Sequence, residues 1–70
     1  MKISVIIPCF NEENTIIEIL KKVNNQKKNF NIEIIISDDG STDSTINLLD
    51  KNAELYDELV ATLKRIEAED

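Results

Sequence analysis

Two short runs of branched apolar residues stand out along the chain: Ile3-Ser4-Val5-Ile6-Ile7, ended by Pro8, and Ile32-Glu33-Ile34-Ile35-Ile36, ended by the acidic turn Asp38-Asp39-Gly40. Their length and β-branching predict strands, and their near-continuous apolar character suits a parallel sheet covered on both faces. Between them Ile16, Ile19, Leu20 and Val23 recur at helical spacing. Asn11 is placed as an N-cap for that helix, and Glu12 and Glu13 complement the positive end of its dipole. The polar stretch 24–31 then turns the chain, so that strand, helix and strand predict a right-handed βαβ unit. After Gly40, Asp43, Ser44 and Thr45 read as caps for a second helix, with Ile46, Leu49 and Ala53 on one face. From Leu55 onward, Leu55, Leu59, Leu63 and Ile66 keep helical spacing with Tyr56 and Val60 beside them, and no Gly or Pro interrupts residues 41–70. One long helix or two joined near Asn52 both fit. The expected fold class is therefore α/β, a βαβα unit over residues 1–56 with a helical tail over 57–70.

Length and charge narrow the picture. At 70 residues, 41% of them hydrophobic and 31% charged, the chain is globular in composition and holds one small domain or a piece of one. The net charge of −6 is uneven: residues 1–35 carry five Lys and four Glu, whereas 36–70 carry three basic and ten acidic residues. A nucleic-acid partner is not expected, because phosphate binding needs clustered Lys and Arg. Cys9 is the single cysteine and there is no His, which excludes an internal disulfide, His-dependent triads and Cys/His zinc clusters. No apolar run approaches the ~20 residues of a membrane span, and the N-terminus lacks the pattern of a cleaved leader, so a soluble, cytoplasmic chain is expected. Two strands with two open edges and a thin core also predict a homo-oligomer, with the stripe Leu55, Leu59, Leu63, Ile66 as a candidate pairing surface.

Candidate chemistry gathers in two loops. In a parallel α/β unit, ligands collect beyond the carboxyl ends of the strands. Pro8-Cys9-Phe10-Asn11-Glu12-Glu13 follows the first strand and Ser37-Asp38-Asp39-Gly40-Ser41-Thr42-Asp43 the second. Adjacent strands lie about 4.8 Å apart, which makes these loops two walls of one cleft. Phe10 offers a flat face to a base, Asn11 and Glu12 offer bonds to ring edges or sugar hydroxyls, and Asp38 or Asp39 can accept from a ring N–H or a ribose hydroxyl. That combination describes a nucleoside pocket. Each loop also has a plainer reading, with Phe10 as an apolar plug and 38–41 as an ordinary capped turn. Two neighbouring carboxylates at a buried strand end repel, however, which weakens a purely structural role.

The two motifs at this spacing resemble the opening signature of family 2 glycosyltransferases, and the likeness covers about residues 2–56. The resemblance implies a GT-A, Rossmann-like fold that binds a nucleoside-diphosphate sugar in its N-terminal half. It implies that Pro8, Phe10 and Glu12 line the nucleoside site, that Asp39 or Asp38 contacts the base, and that Gly40 and Ser41 shape the second wall. It further implies Mg²⁺ or Mn²⁺ on the diphosphate, held by an Asp-x-Asp, and a later acidic base. Neither of these occurs in the 70 residues, so the chain is expected to be a fragment holding only the nucleotide-binding portion.

Three other readings compete. A non-catalytic oligomerising module would keep the scaffold without the chemistry. A calcium loop starting at Asp39 fails because Ser44 stands where a turn-making Gly is needed and Asp50 where a bidentate Glu is needed. A receiver-like phosphoacceptor fails because the first strand ends in Pro8-Cys9-Phe10 rather than an acidic pair. Cys9 has no His to activate it as a nucleophile.

Overall fold

In the computed structural model, which describes residues 1–61, the two branched runs form strands β1 (Ile3–Cys9) and β2 (Ile32–Asp38). They lie parallel, in register from Ile3 opposite Ile32 to Cys9 opposite Asp38. Helix α1 (Ile16–Asn25) connects them, followed by a 3₁₀ turn at Gln26–Lys28. Helix α2 (Thr45–Lys51) and a second 3₁₀ turn, Ala53–Leu55, lead to a third parallel strand, β3 (Glu58–Ala61), beside β2. The strand order is β1-β2-β3.

Two connections that step across a sheet in the same direction, with the same hand, put both helices on one face. The core sits there: Ile16 and Leu20 of α1 and Leu49 of α2 are buried with Cys9, Ile34 and Ile36. Side chains alternate along a strand, so Ile6 and Val60 point the other way, and they are 63% and 46% exposed. Cover on both faces, expected from the apolar runs, is thus not met among the described residues. Among the described residues, helices cover one face only.

The helical reading of the C-terminal segment is also corrected as far as residue 61. Helix α2 stops at Lys51, and Asn52 bends away with its side-chain amide donating back to the Leu48 carbonyl at 2.8 Å. Leu55 and Leu59 lie in a 3₁₀ turn and a strand, and both pack against the core, so they do not share a helical stripe. Leu63 and Ile66 lie outside the described residues. The spacing of four misleads because both leucines face the core from two different elements, a turn and a strand, rather than from one helix.

Asn11 does not cap α1. The chain makes a turn first, with the Thr15 and Ile16 amides donating to the Glu12 carbonyl, and the helix begins five residues after Asn11. Ile19, counted on the apolar face, is 41% exposed.

Candidate functional site

Because β1 and β2 are parallel and end level, their following loops leave the sheet together. The Asp39 amide donates to the Cys9 carbonyl at 2.9 Å, carrying the ladder one step past the strands. Between the loops opens a cleft of about 490 Å³ lined by Pro8, Cys9, Phe10, Glu12, Ser37 and Asp39. That volume falls within the roughly 300–1,000 Å³ of small-molecule sites. Phe10 is 47% exposed. The lining combines one aromatic face, a proline, a hydroxyl and two carboxylates, and it includes no cation. Such a surface suits a flat ligand rich in N–H and O–H donors.

The eight residues singled out in the sequence divide into two groups. Pro8, Phe10, Glu12 and Asp39 line the cleft, while Asn11, Asp38, Gly40 and Ser41 build the frame behind it. Asp38 is 1% exposed, and its carboxylate accepts from the Gly40 amide at 3.1 Å, the Ser41 amide at 2.9 Å and the Ser41 hydroxyl. Of the paired acids, therefore, Asp39 faces the cleft and Asp38 ties the loop. Gly40 has φ 81°, a left-handed conformation that a side chain would oppose. Asn11 has φ 50°, and asparagine is among the few residues that adopt this region readily.

Six hydrogen bonds, each spanning 30 to 33 residues of sequence, lace the loops together. The Asn11 amide donates to Ser41 Oγ at 2.8 Å, and Asn11 Oδ1 accepts from the amides of Thr42 at 2.8 Å and Asp43 at 3.2 Å. The Glu12 amide donates to Thr45 Oγ1 at 2.9 Å, the Glu13 amide donates to Asp43 Oδ2 at 3.4 Å, and Glu13 Oε1 accepts from the Ser44 amide at 2.8 Å. Asp43 also accepts from the amide and hydroxyl of Thr45. Thr45 is completely buried. Glu13 and Thr45 as cross-loop partners were missed by sequence reasoning, which placed Glu13 on the dipole of α1 and Thr45 on the cap of α2. Short polar side chains beside two helix starts were the signal, but it does not reveal which loop they serve.

Charge states follow from these contacts. Burial pushes the Cys9 thiol up to about 11, and the neighbouring Asp38, by charge and by hydrogen bond, adds to the shift. Partial loss of water raises the Asp43 carboxyl, but the hydrogen bonds from Thr45 and Glu13 outweigh this and hold it below its ordinary value.

Among the described residues no three His, Cys, Asp or Glu side chains converge so as to hold a metal ion. Two carboxylates line the cleft, and those of Asp38 and Asp43 are engaged by the loops. Residues 1–61 thus do not form a binding set for the Mg²⁺ or Mn²⁺ that the family resemblance implies.

The sequence profile of glycosyl transferase family 2 matches residues 4–68. The chain belongs to glycosyltransferase family 2. It is 47% identical over 51 residues to the abequosyltransferase RfbV of Salmonella typhimurium, a match covering 71% of this chain and 15% of that protein. It is 41% identical over 63 residues to the poly(ribitol-phosphate) beta-glucosyltransferase of Bacillus spizizenii, covering 86% of this chain and 10% of that protein. It is 42% identical over 45 residues to the dolichol-phosphate mannosyltransferase of Pyrococcus furiosus, covering 64% and 13%. This family 2 chain thus spans only 10–15% of the length of these relatives. No solved structure matches it significantly. No helix among the described residues is long and apolar enough to cross a membrane.

Proposed function

We propose that the cleft between the two loops takes the nucleoside of a nucleoside-diphosphate sugar, within a protein that transfers the sugar to an acceptor. The observation that carries this reading is the lining itself: Phe10, Glu12 and Asp39 on two loops at the carboxyl ends of adjacent parallel strands. The Phe10 ring stacks on the base, and base–aromatic stacking contributes about 1–3 kcal/mol. Asp39 and Glu12 accept from a ring N–H and a ribose hydroxyl. A lining with two carboxylates and no cation repels phosphate, so the diphosphate and sugar project out of the cleft. Residues 1–61 would not by themselves hold the Mg²⁺ or Mn²⁺ that the family resemblance implies; bound to the diphosphate, such an ion would supply Lewis-acid stabilisation of the leaving group. The lone Cys9 thiol suits a reducing, cytoplasmic setting.

Titration calorimetry with UDP, GDP and their sugars, with and without Mn²⁺, tests the reading. Saturable heat with at least one nucleotide is expected, reduced about tenfold or more in affinity by Phe10→Ala or Asp39→Asn. No saturable heat with any of them overturns it.

Self-association without catalysis is a second reading, favoured by exposed Ile6 and Val60 on the sheet face that the described residues leave uncovered. A stable dimer in light scattering together with silence in the titration would select it.

A further inference from the structure

We infer that Asn11 and Thr45 are positioning residues for the cleft: neither lines it, yet together they set the distance between the wall carrying Phe10 and Glu12 and the wall carrying Asp39. The inference rests on the nucleoside reading for its effect on binding, but its geometry stands apart from that reading.

Asn11 sits between two lining residues, Phe10 and Glu12, and its side chain is committed to the opposite loop through the Thr42 and Asp43 amides. Its own amide takes the Ser41 hydroxyl oxygen, and that hydroxyl donates to Asp38. A single asparagine thus spans the gap with its backbone and its side chain, while its φ of 50° turns the chain so that both can reach. Thr45 secures the next residue. Its Oγ1 accepts the Glu12 amide at 2.9 Å, and its hydroxyl proton is directed to Asp43. That direction leaves the oxygen lone pair for Glu12, so the hydroxyl acts as a one-way connector from α2 to the first loop. The Glu12 carboxylate is steered in turn by the Thr15 hydroxyl at 3.0 Å. Thr45 is completely buried, so packing fixes the hydroxyl that it presents to the Glu12 amide; removing that hydroxyl leaves the amide to be met by water entering between the loops or by a shift of the loop.

The test uses the 70-residue chain and the variants Thr45→Val, Thr45→Ser and Asn11→Gly. Valine keeps the volume of threonine and loses the hydroxyl; serine keeps the hydroxyl; glycine keeps the left-handed backbone and loses the Asn side chain. Two readouts are taken: NMR amide exchange at Glu12, Thr42 and Asp43 with the chemical shifts of Phe10 and Asp39, and calorimetric affinity for UDP and GDP. In Thr45→Val the Glu12 amide should exchange at least about tenfold faster and the Phe10 and Asp39 resonances should move, with Thr45→Ser restoring both. In Asn11→Gly the Thr42 and Asp43 amides should do the same, and either loss should weaken nucleotide binding about tenfold. Unchanged Phe10 and Asp39 resonances in both disabled variants, or full nucleotide affinity in them, overturns the inference. Altered resonances in a chain that binds neither nucleotide uphold the clasp and sink the nucleoside reading instead.

Discussion

Asp57 grips Ile34 from two directions: its amide donates to the Ile34 carbonyl at 2.9 Å, and its carboxylate accepts the Ile34 amide at 2.7 Å. The same carboxylate pairs with Lys27 Nζ at 2.9 Å, so one side chain joins the entry to β3, the middle of β2 and the turn after α1. The Asp57 side chain is 40% exposed, which discounts the ion pair more than the bond to the backbone. We expect Asp57→Ala to lower stability by about 1–2 kcal/mol and Lys27→Met by less than about 1 kcal/mol. Urea unfolding of the two variants measures the difference, and equal losses would show that the ion pair, not the backbone contact, holds the strand.

Acid should loosen this junction and the loop clasp together. The Asp57 carboxyl is held below its ordinary value by the Ile34 amide first and by Lys27 second, and Asp43 is lowered as well. A depressed folded-state value means that the unfolded chain binds protons first as pH falls. The stabilisation is therefore complete above the ordinary carboxylate range near 4 and is lost as pH drops through the lower folded-state values. Thermal melts between pH 7 and pH 2 should show this decline, and Asp57→Asn should flatten it. A profile for Asp57→Asn as steep as that of the parent would rule out the assignment.

The Cys9 thiol should be inert in the folded chain. Burial and Asp38 push it up to about 11, so the reactive thiolate is scarce at neutral pH. Alkylation by iodoacetamide at pH 8 should run on the order of a hundredfold slower than in urea-unfolded chain. The same shift has a stability consequence of opposite direction to that of the acids. The folded state keeps its proton after the unfolded thiol has lost one, so stability falls as pH rises from the ordinary thiol value of 9.0 toward the folded-state value of about 11.

Gly40→Ala should cost about 1–2 kcal/mol, because φ 81° sets a Cβ against the following carbonyl. The loss should appear in the unfolding free energy and also in the amide exchange of Ser41, whose bond to Asp38 depends on that turn. A neutral Gly40→Ala would mean that the loop relaxes to another conformation without consequence.

The paired strands and the parallel α/β class were legible because branched apolar runs of five residues leave few alternatives, and both loops were correctly placed at the carboxyl ends of β1 and β2. What the chain sequence did not reveal is division of labour within each loop. Asp38 and Asp39 are chemically identical neighbours, and only the pleat decides that the first turns inward to Gly40 and Ser41 while the second meets the cleft. Asn11 looked like a local cap because local capping is all that a linear pattern displays, whereas its partners lie more than 30 residues away. Strand β3 was hidden for a related reason: Glu58-Leu59-Val60-Ala61 carries one β-branched residue, Val60, and forms by pairing with β2, a tertiary effect that overrides its propensity.

The one-sided clothing of the sheet leaves a mark that a mutational scan could read. Along β1, Val5, Ile7 and Cys9 look toward the helices while Ser4, Ile6 and Pro8 look outward. Tolerance to a charged substitution should therefore rise and fall with a period of two along this strand, with lysine accepted at Ile6 and rejected at Ile7. A strand that the amino-acid pattern presents as almost continuously oily would then behave, residue by residue, as the boundary between an interior and a surface.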